Sequence, residues 1–438
     1  MDNERQIALK ALLSFRKDGS WPDLHLKQHL DGLDESKAAL CANITYGVLQ
    51  HTSLLDFYIA HYSALPLKKI APLVLESMRM AVYQMVFLDR IPVSAAVNES
   101  VKLIKKTGNA RAAGFANGVL RAIGREKDAL PPVALPTVAE TLAVRYSHPR
   151  WMVERFLKLF GREETERLLA ADNAPAPAVL RVNTQKGSAE QFAADCEALT
   201  GEAPVPVEGL DNAFTVTKTS ALLKSDLFLD GRFSVQDTSS QLAVRVLDPR
   251  PGDRLLDVCA APGGKSMLAA QYMEDRGEVI ACDLYPHKVD LIDEAARRLG
   301  LAAVQALCKD ATLDTPQWAG RFDRVLCDVP CSGLGVIRKK PDIRYKDEKE
   351  LASLPPLQRT ILRNAAACVR PGGRLLYSTC TILPEENEDN VRDFLSKHGD
   401  FALVPFAWRG RETDGMITLL PHRDGSDGFF IALLERRA

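Results

Sequence analysis

The stretch RLLDVCAAPGGKS, residues 254–266, decides the fold of the carboxy-terminal half of this chain. It begins with an apolar run that is typical of a buried strand and continues into a turn of small residues and glycines. An amphipathic pattern over residues 266–272 predicts a helix directly after the turn. Glycines let a ligand approach the backbone closely, and the start of a helix presents free amide groups, so the stretch predicts a ligand-binding loop.

The succession of strand and helix continues beyond this loop. Apolar runs predict further strands at residues 278–283, 304–307, 322–328 and 373–378, and helical patterns cover residues 288–299 and 357–368. Strand then helix, repeated, predicts a mostly parallel sheet with helices on both faces. Ligands of such sheets bind outside the carboxyl ends of the strands, and we expect the functional side chains there.

The glycine loop invites comparison with known nucleotide-binding patterns, and two of them do not fit. A Walker P-loop requires glycine at position 259, where this chain has Cys259. A dinucleotide fingerprint spaces its glycines as G-x-G-x-x-G, whereas Gly263 and Gly264 are adjacent. A loop suited to a ligand without a pyrophosphate remains, and the alternative is a tight turn that binds nothing.

Acidic residues stand at the ends of the next two predicted strands. Asp283 follows the glycine loop by about 20 residues, at the place where a carboxylate accepts hydrogen bonds from ribose hydroxyls. Asp310 follows the third apolar run and is placed to contact an adenine edge. Either residue alone could be a solvated loop acid, but their occurrence at successive strand ends favours a nucleoside site.

Two cysteines and a carboxylate follow the remaining strands. Asp328 precedes Cys331 at one strand end, and Cys380 follows the next strand. One such cysteine would be interpreted as a core thiol, whereas two in loops that face one pocket indicate chemistry. A thiolate that adds to carbon 6 of cytosine makes carbon 5 nucleophilic toward a sulfonium methyl group. Asp328 would stabilise charge on the ring nitrogen, a base would remove the carbon-5 proton, and a nearby cation would keep the attacking sulfur ionised.

These motifs together resemble those of the RNA cytosine-5 methyltransferases of the Nol1/Nop2/Sun family. The resemblance rests on DVCAAPGGK at residues 257–265, DVPCSG at 328–333, and STCT at 378–381 followed by PEEN at 384–387. It implies a Rossmann-like class I methyltransferase domain with S-adenosyl-L-methionine as cofactor. It also implies that Cys380 is the nucleophile, that Cys331 assists product release and that Asp328 is catalytic. The implied cofactor-binding residues are Cys259, Ala260, Ala261, Pro262, Gly263, Gly264, Lys265, Asp283, Asp310 and Asp328.

The amino-terminal part of the chain has a different pattern. From residue 4 to about residue 125 apolar residues recur every three or four positions with almost no alternation, which predicts an all-α bundle. The segments IPVSAAVNESV, residues 91–101, and FANGVLR, residues 115–121, resemble the NusB RNA-binding domain. A NusB-like domain joined to this catalytic domain implies small-subunit ribosomal RNA as the partner.

The predicted organisation is multidomain, because 438 residues exceed one ordinary core. A proline-rich break at residues 130–136 separates the bundle from the rest, and short mixed strands with one helix between residues 179 and 233 predict a small α/β connector. We therefore predict a NusB-like helical RNA-binding domain at 1–130, a connector that serves as an RNA-recognition subdomain at 140–235, and the methyltransferase domain at 236–438.

The distribution of charge suggests where RNA could bind. The net charge is only −1, from 56 basic and 57 acidic residues, but basic residues crowd two regions. A locally basic face can bind phosphates on a neutral protein, and a solvated helix face is the alternative for either region. The two clusters are Lys102, Lys105, Lys106, Arg111, Arg121 and Arg125, and Arg338, Lys339, Lys340, Arg344 and Lys346.

Compartment and metal content follow from simpler features. A charged amino terminus and the lack of a long apolar run predict a cytoplasmic protein that does not enter a membrane. The nine cysteines include no C-x-x-C pair and mostly stand singly in apolar runs, so we expect reduced thiols and no metal. We also expect a monomer.

Three alternatives remain open at this point. A non-catalytic RNA-binding factor for ribosome assembly would be favoured by loss of a reactive cysteine or of Asp328, and the chain retains all three residues. The same chemistry could act on transfer RNA or large-subunit ribosomal RNA. A DNA cytosine methyltransferase carries its nucleophile in the Pro-Cys motif, whereas the additional Thr-Cys motif is typical of the RNA enzymes.

Overall fold

The computed structural model describes residues 3–19, 22–30 and 33–437, and its contacts divide the chain into two compact units. The first unit comprises the residues up to 174 together with Lys340–Lys346, and the second comprises Pro175–Lys339 and the residues from Asp347 onward. The three-domain division stays a prediction, and its limits at residues 1 and 438 lie outside the described residues. Residues 140–174, which it assigns to the connector, pack in the first unit.

Within its described residues, the first unit is built from helices, which confirms the predicted all-α bundle. Their apolar faces meet in one core that includes Leu12, Ile44, Met78 and Leu120. No helix among the described residues of the whole chain combines the length and the apolar character that a membrane crossing requires. The helices are α1 (Glu4–Asp18), α2 (Pro22–His29), α3 (Glu35–Tyr62), α4 (Pro72–Phe87), α5 (Val93–Lys106), α6 (Ala113–Arg125), α7 (Val138–Arg145) and α8 (Arg150–Ala171).

The short segment Pro341–Tyr345 belongs to the first unit although it follows the catalytic motifs in sequence. Arg344 is only 4% exposed and donates hydrogen bonds to the carbonyl oxygens of Gln50 and Asp172 and, at 2.7 Å, to Oδ1 of Asn173. Burial lowers the pKa of Arg344 to about 10. Arg344 is therefore part of the packed interior of the first unit, and its charge is not available to an external phosphate.

Two more basic residues of the cluster at 338–346 are paired with acidic side chains, so the cluster does not form one exposed basic face. Arg338 is also buried, and in the second unit its Nε donates to Oδ1 of Asp427 at 3.1 Å. Lys339 forms ion pairs of 2.7 Å with both Asp237 and Asp427. The sequence shows the positive charges, but their acidic partners lie about 90 to 100 residues away and are brought together only by the fold.

The second unit begins with a small antiparallel sheet of order β2-β3-β1-β4. Its helices cover one face, where Leu180, Phe192, Phe214 and Phe233 form a core. The small α/β connector predicted between residues 179 and 233 corresponds to this four-stranded sheet and its helices. Its elements are β1 (Ala178–Val182), α9 (Ala189–Thr200), β2 (Val205–Pro206), β3 (Ala213–Val216), α10 (Thr219–Leu223), α11 (Asp226–Leu229) and β4 (Phe233–Val235).

The rest of the second unit is a large sheet with helices on both faces. The strands in its centre are parallel, and the strands formed by the last part of the chain pair antiparallel at one side of the sheet. The elements are α12 (Thr238–Leu247), β5 (Arg254–Asp257), α13 (Gly264–Tyr272), β6 (Glu278–Asp283), α14 (Pro286–Leu299), β7 (Val304–Cys308), β8 (Phe322–Asp328), α15 (Glu348–Leu351), α16 (Leu354–Cys368), β9 (Val369–Thr379), α17 (Glu388–Lys397), β10 (Phe401–Leu403), β11 (Ala407–Trp408), β12 (Arg411–Glu412), β13 (Met416–Leu419), α18 (Pro421–Asp424) and β14 (Phe429–Arg436).

The strand order is β10-β14-β9-β8-β5-β6-β7, with β13 paired to β14. Neighbouring residues of the strands point to opposite faces, so that Leu255 packs in one core and Leu256 in the other. Helices α12, α13 and α14 cover the first of these cores, and α16 and α17 cover the second. The mostly parallel sheet predicted from the sequence is confirmed, and it aligns the carboxyl ends of β5, β6, β8 and β9 along one edge.

Two glycines of the helical unit give a matched test of its packing. A Cβ at position 47 in α3 would overlap the ring of Tyr83, whereas one at position 118 in α6 meets no atom within 4 Å. We expect Gly47→Ala to destabilise the unit by about 1–3 kcal/mol because the core is overpacked. We expect Gly118→Ala to stabilise it by about 0.5–1 kcal/mol because alanine favours the helix. Urea unfolding of the two variants measures both effects, and equal changes would contradict this account of the core.

Candidate active site

The glycine loop after β5 has the compact form that its sequence predicts. The amide of Ala260 donates to the carbonyl of Cys282 on the neighbouring strand, and the amide of Gly263 donates to the carbonyl of Ala260, each at 2.7 Å. Gly263 has a φ of 99°, a backbone conformation that favours glycine, and α13 begins at the next residue. The loop therefore turns sharply and directs the start of the helix toward the carboxyl edge of the sheet.

A cleft of about 250 Å³ opens beside this loop. Six of the seven predicted loop residues line it, and Gly263 forms the turn behind them. The thiol of Cys259 is half-buried, and desolvation raises its pKa well above the usual range, so we interpret it as a lining residue of the cleft and not as a reactive group. The lining residues are Val235, Gln236, Asp237, Ser240, Asp257, Cys259, Ala260, Ala261, Pro262, Gly264, Lys265 and Asp328.

The two acids predicted to bind a nucleoside lie at the ends of adjacent strands. Asp283 accepts hydrogen bonds of 3.3 Å from the amides of Ala261 and Tyr285, which ties it to the glycine loop. Asp310 instead accepts from the amide and the hydroxyl of Thr312, and the side-chain bond is the main cause of its lowered pKa. The structure thus joins Asp283 to the loop, while Asp310 shares no hydrogen bond with it.

The residues of the cleft fit S-adenosylmethionine. Asp283 does not line the cleft but is bonded to its loop, and its carboxylate has the chemistry of an acceptor for ribose hydroxyls; the turn at Gly263 leaves the start of α13 accessible to a ligand. The side-chain amide nitrogen of Gln236, which lines the cleft, is buried without a partner in the protein. Buried donors of this kind are normally satisfied, so the cleft and its loop together offer a ligand both an acceptor and a donor.

The two predicted reactive cysteines meet beyond the cofactor loop. Sγ of Cys331 lies 3.1 Å from Sγ of Cys380, and both side chains are partly accessible. The contact with Cys380, together with burial, raises the pKa of Cys331 well above the usual range. Either sulfur atom of the pair can be the hydrogen-bond donor, and the raised pKa of Cys331 favours its thiol form.

Asp328 stands beside this pair and is held from two sides. Its Oδ2 accepts a hydrogen bond from Nζ of Lys265 at 2.6 Å, and its Oδ1 accepts from the hydroxyl of Ser378 at 2.8 Å. Burial alone would lower the pKa of Lys265, but the charge and the hydrogen bond of Asp328, with smaller contributions from Asp257 and Cys380, raise it. The ammonium of Lys265 also lies 5.2 Å from the centre of the Phe429 ring.

A buried polar network holds the loops that carry the two cysteines. One oxygen of Glu386 accepts from the amide of Ser332 at 2.9 Å and from the side chain of Gln358 at 2.8 Å. The hydroxyl of Thr379 donates to Asn387 at 2.5 Å, and Asn387 donates to the carbonyl of Thr381 at 3.0 Å. The Pro-Cys loop is thus bonded to the segment that follows the Thr-Cys loop, and the positions of the two sulfur atoms depend on each other.

Several residues that shape the site carry no assigned role in the sequence analysis. Ser378 and Glu386 belong to the quoted motifs, but their partners are visible only in the structure. Gln358 on α16 has no motif around it, because its role depends on helix packing. Gln236 lines the cleft and Phe429 lies beside Lys265, and both are outside the motifs in sequence.

The strand order, the loop after β5 and the cleft together define an S-adenosylmethionine-dependent methyltransferase. Comparison with known proteins makes this more specific, and the chain belongs to the ribosomal RNA small subunit methyltransferase B family. The family profile described as 16S rRNA methyltransferase RsmB/F matches residues 244–435. The NusB family profile matches residues 2–125, and a ferredoxin-like domain profile of RsmF/B-like methyltransferases matches residues 148–221.

Similar proteins cover nearly the whole chain. A probable ribosomal RNA small subunit methyltransferase B from Bacillus subtilis (strain 168) is 37% identical, over 99% of this chain and 98% of that protein. A protein of the same description from Synechocystis sp. (strain ATCC 27184 / PCC 6803 / Kazusa) is 34% identical over the full length of both. The crystal structure of PH0851 is 29% identical, has a TM-score of 0.79, and the match covers 98% of this chain and 97% of that one.

The carboxyl group of Asp257 gives the site a testable dependence on pH. It is buried, accepts a hydrogen bond from Ser266 at 2.6 Å, and burial raises its pKa from 3.8 to about 6. Because the folded state holds the proton more tightly, this group favours folding below pH 3.8 and loses that contribution as the pH rises through 6. Asparagine has no charge to bury and can still accept from Ser266.

We therefore expect the stability of Asp257→Asn, measured against wild type without cofactor, to rise between pH 4 and pH 6 by up to about 3 kcal/mol and then to stay constant. Urea unfolding at a series of pH values measures this difference. The matched variant Asp310→Asn, whose carboxyl has a lowered pKa, should show the opposite trend at low pH. A difference for Asp257→Asn that is independent of pH would contradict the account of its burial.

Proposed function

We propose that this protein transfers a methyl group from S-adenosylmethionine to carbon 5 of a cytosine in small-subunit ribosomal RNA, through a covalent bond between Cys380 and carbon 6. The observation that carries the proposal is the 3.1 Å contact between Cys331 and Cys380 beside the Asp328–Lys265 ion pair. The RNA target is inferred from the names of the full-length relatives. The contact of the two sulfur atoms is what a reaction with one attacking and one assisting cysteine requires.

The residues of the site divide the reaction between them. The Cys380 thiolate adds to carbon 6, which breaks the conjugation of the ring and makes carbon 5 nucleophilic. Addition also makes the ring nitrogen basic, and the carboxylate of Asp328 stabilises the proton that this nitrogen acquires. The cofactor supplies an electrophilic methyl group on its sulfonium sulfur. Loss of the carbon-5 proton to a base then restores the double bond and expels Cys380 as a thiolate.

The electrostatics of the sulfur pair support Cys380 as the nucleophile. The raised pKa of Cys331 keeps this residue a thiol, and a thiol that donates to its neighbour stabilises the neighbour as a thiolate. The ammonium of Lys265 adds a positive charge on the same side. Cys331 is then in position to assist the final release of the product, in agreement with the role implied by the resemblance.

The test of the proposed function is methyl transfer from labelled S-adenosylmethionine to unmodified small-subunit ribosomal RNA, with digestion of the product to nucleosides. We expect label in 5-methylcytosine for wild type and a loss of at least about 10³-fold for Cys380→Ala, because the addition step is removed. The control is Cys196→Ala, which removes a buried thiol on α9 and should leave the activity unchanged. Label in another nucleoside, or full activity of Cys380→Ala, would contradict the proposed chemistry.

Replacement of the second cysteine should trap the intermediate. We expect Cys331→Ala to accumulate a covalent complex with RNA, visible as a slower band on a denaturing gel, because release from Cys380 is slowed. The double variant Cys331→Ala/Cys380→Ala should form no such complex. A complex that survives in the double variant would assign the covalent bond to another residue, and a Cys331 variant that cannot react at all would favour the DNA-type mechanism.

A basic surface of the helical unit is the proposed contact for RNA phosphates. Lys102, Lys105 and Lys106 on α5 are exposed, as are Arg111 just before α6 and Arg121 in its second half. Of these, Lys102 forms a 2.7 Å ion pair with Glu99, an exposed contact of small energetic value that a phosphate can replace. This cluster, in contrast to the side chains of Arg338 and Arg344, has the exposure that phosphate binding requires.

Charge reversal tests this surface. We expect Lys105→Glu/Arg121→Glu to lower RNA affinity at least tenfold and to reduce the slope of log affinity against log salt by about one for each phosphate that is no longer bound. The control is Lys158→Glu/Arg162→Glu, which reverses two exposed charges on α8 of the same unit. Equal effects of the two double variants would show a general charge effect and would contradict a specific RNA contact at α5 and α6.

A further inference from the structure

The buried arginine of the small sheet, Arg181 on β1, contacts the cofactor loop from behind. It is 2% exposed, and its Nη1 donates to Oε1 of Gln236 at 2.7 Å and to the carbonyl of Gly264 at 3.0 Å. Its Nε and Nη2 are buried without a partner, and no carboxylate among the described residues forms an ion pair with it. Burial of this uncompensated charge lowers the pKa of Arg181 to about 9.

The hydrogen bond from Arg181 determines which way the amide of Gln236 points. A guanidinium only donates, so the amide oxygen must face Arg181 and the amide NH₂ must point away from it. That nitrogen is buried, has no acceptor in the protein and belongs to a residue that lines the cofactor cleft next to Gly264. The NH₂ group of Gln236 is therefore a hydrogen-bond donor in the cleft that has a fixed direction and lacks an acceptor. The positive charge of Arg181 lies on the other side of the same amide.

We infer that Gln236 binds the carboxylate of the amino-acid end of S-adenosylmethionine and that Arg181 is its positioning residue. This deepens the proposed function, since it assumes the same cofactor in the same cleft. The carboxylate is the anionic group of this cofactor, and an anion is the partner that offsets a buried cation without an acid. Asp283 lies at the end of β6, next to the glycine loop, and its carboxylate suits the hydroxyl donors of the ribose.

Two ligands that differ only in this carboxylate provide the test. S-adenosylmethionine and its decarboxylated form share the adenosine, the sulfonium and the amine, and binding of each to the full chain can be measured by titration calorimetry. For Gln236→Leu we expect affinity for S-adenosylmethionine to fall at least tenfold, which is the usual effect of losing a hydrogen bond to a charged group. Affinity for the decarboxylated form should change less than threefold.

The variant Gln236→Glu separates binding from folding. Its carboxylate keeps the bond to Arg181 and gives that guanidinium an acidic partner, so we expect its stability to equal or exceed that of wild type. The same charge would repel the carboxylate of the cofactor, and we expect affinity for S-adenosylmethionine to fall further than in Gln236→Leu. Decarboxylated S-adenosylmethionine should bind this variant at least as well as it binds wild type.

The positioning role of Arg181 predicts the same selectivity. In Arg181→Met the amide of Gln236 is free to turn, and we expect loss of affinity for S-adenosylmethionine but not for the decarboxylated form, with partial recovery in Arg181→Lys. The control is Gln271→Leu, which removes another buried amide without a partner, on α13 but outside the cleft lining. This control should bind both ligands as wild type does.

The outcomes distinguish this inference from the proposed function. Equal losses for the two ligands in the Gln236 variants, or no loss for either, would overturn the assignment of the carboxylate site. Gln236→Glu binding S-adenosylmethionine as tightly as wild type would overturn it as well. Wild-type protein that binds neither ligand would instead contradict the methyltransferase function on which the inference rests.

Discussion

The parallel pairing of β8 and β9, with Asp328 opposite Ser378, is the constraint on which the chemistry of the molecule depends. Two parallel strands in register end at the same edge, so the loops that leave them are neighbours from their first residue. The amide of Val329 donates to the carbonyl of Ser378 at 3.1 Å and continues the pairing into the loops. The contact between Cys331 and Cys380 is a direct result of this register, because a shift of either strand would separate the sulfur atoms.

The polar groups around this edge explain why the arrangement is unique. Glu386, Gln358, Asn387 and Asn390 are buried and bonded to one another or to the backbone of the catalytic loops. In a medium of low dielectric constant such groups are costly when unpaired, so alternative loop conformations that break these bonds are disfavoured. Buried hydrogen bonds therefore determine the conformation of the catalytic loops, while the two apolar cores stabilise the sheet beneath them. Close approach of Gly335 to the backbone of Gly428 adds a steric limit, since a side chain at either position would overlap the other.

The sequence predicted those features that are encoded locally. The strands of the parallel sheet, the glycine loop and the Asp328, Cys331 and Cys380 motifs all lie within short windows whose pattern or composition is informative. The antiparallel strands after residue 400 were not predicted. β10, β11 and β12 are only two or three residues long and show no periodic pattern, whereas the eight-residue apolar strand β14 has a clear local signal that was missed. Whether the basic residues at 338–346 form an exposed face was left open, because charge along a sequence does not reveal whether an arginine is exposed. The role of Gln236 depends on Arg181, 55 residues earlier, and on a loop 28 residues later, and no local pattern joins these positions.

The packing of residues 340–346 in the first unit affects the order in which the chain can fold during synthesis. The rest of the helical unit ends at residue 174, yet the carbonyls of Gln50 and Asp172 can accept from the guanidinium of Arg344 only after residues 175–339 of the second unit have been translated. Tyr345, whose hydroxyl donates to the carbonyl of Leu49 at 2.8 Å, arrives with it. The helical unit therefore obtains its last contacts from a segment that is encoded within the catalytic unit. This order differs from the usual one, in which an amino-terminal domain folds before the later domains are made.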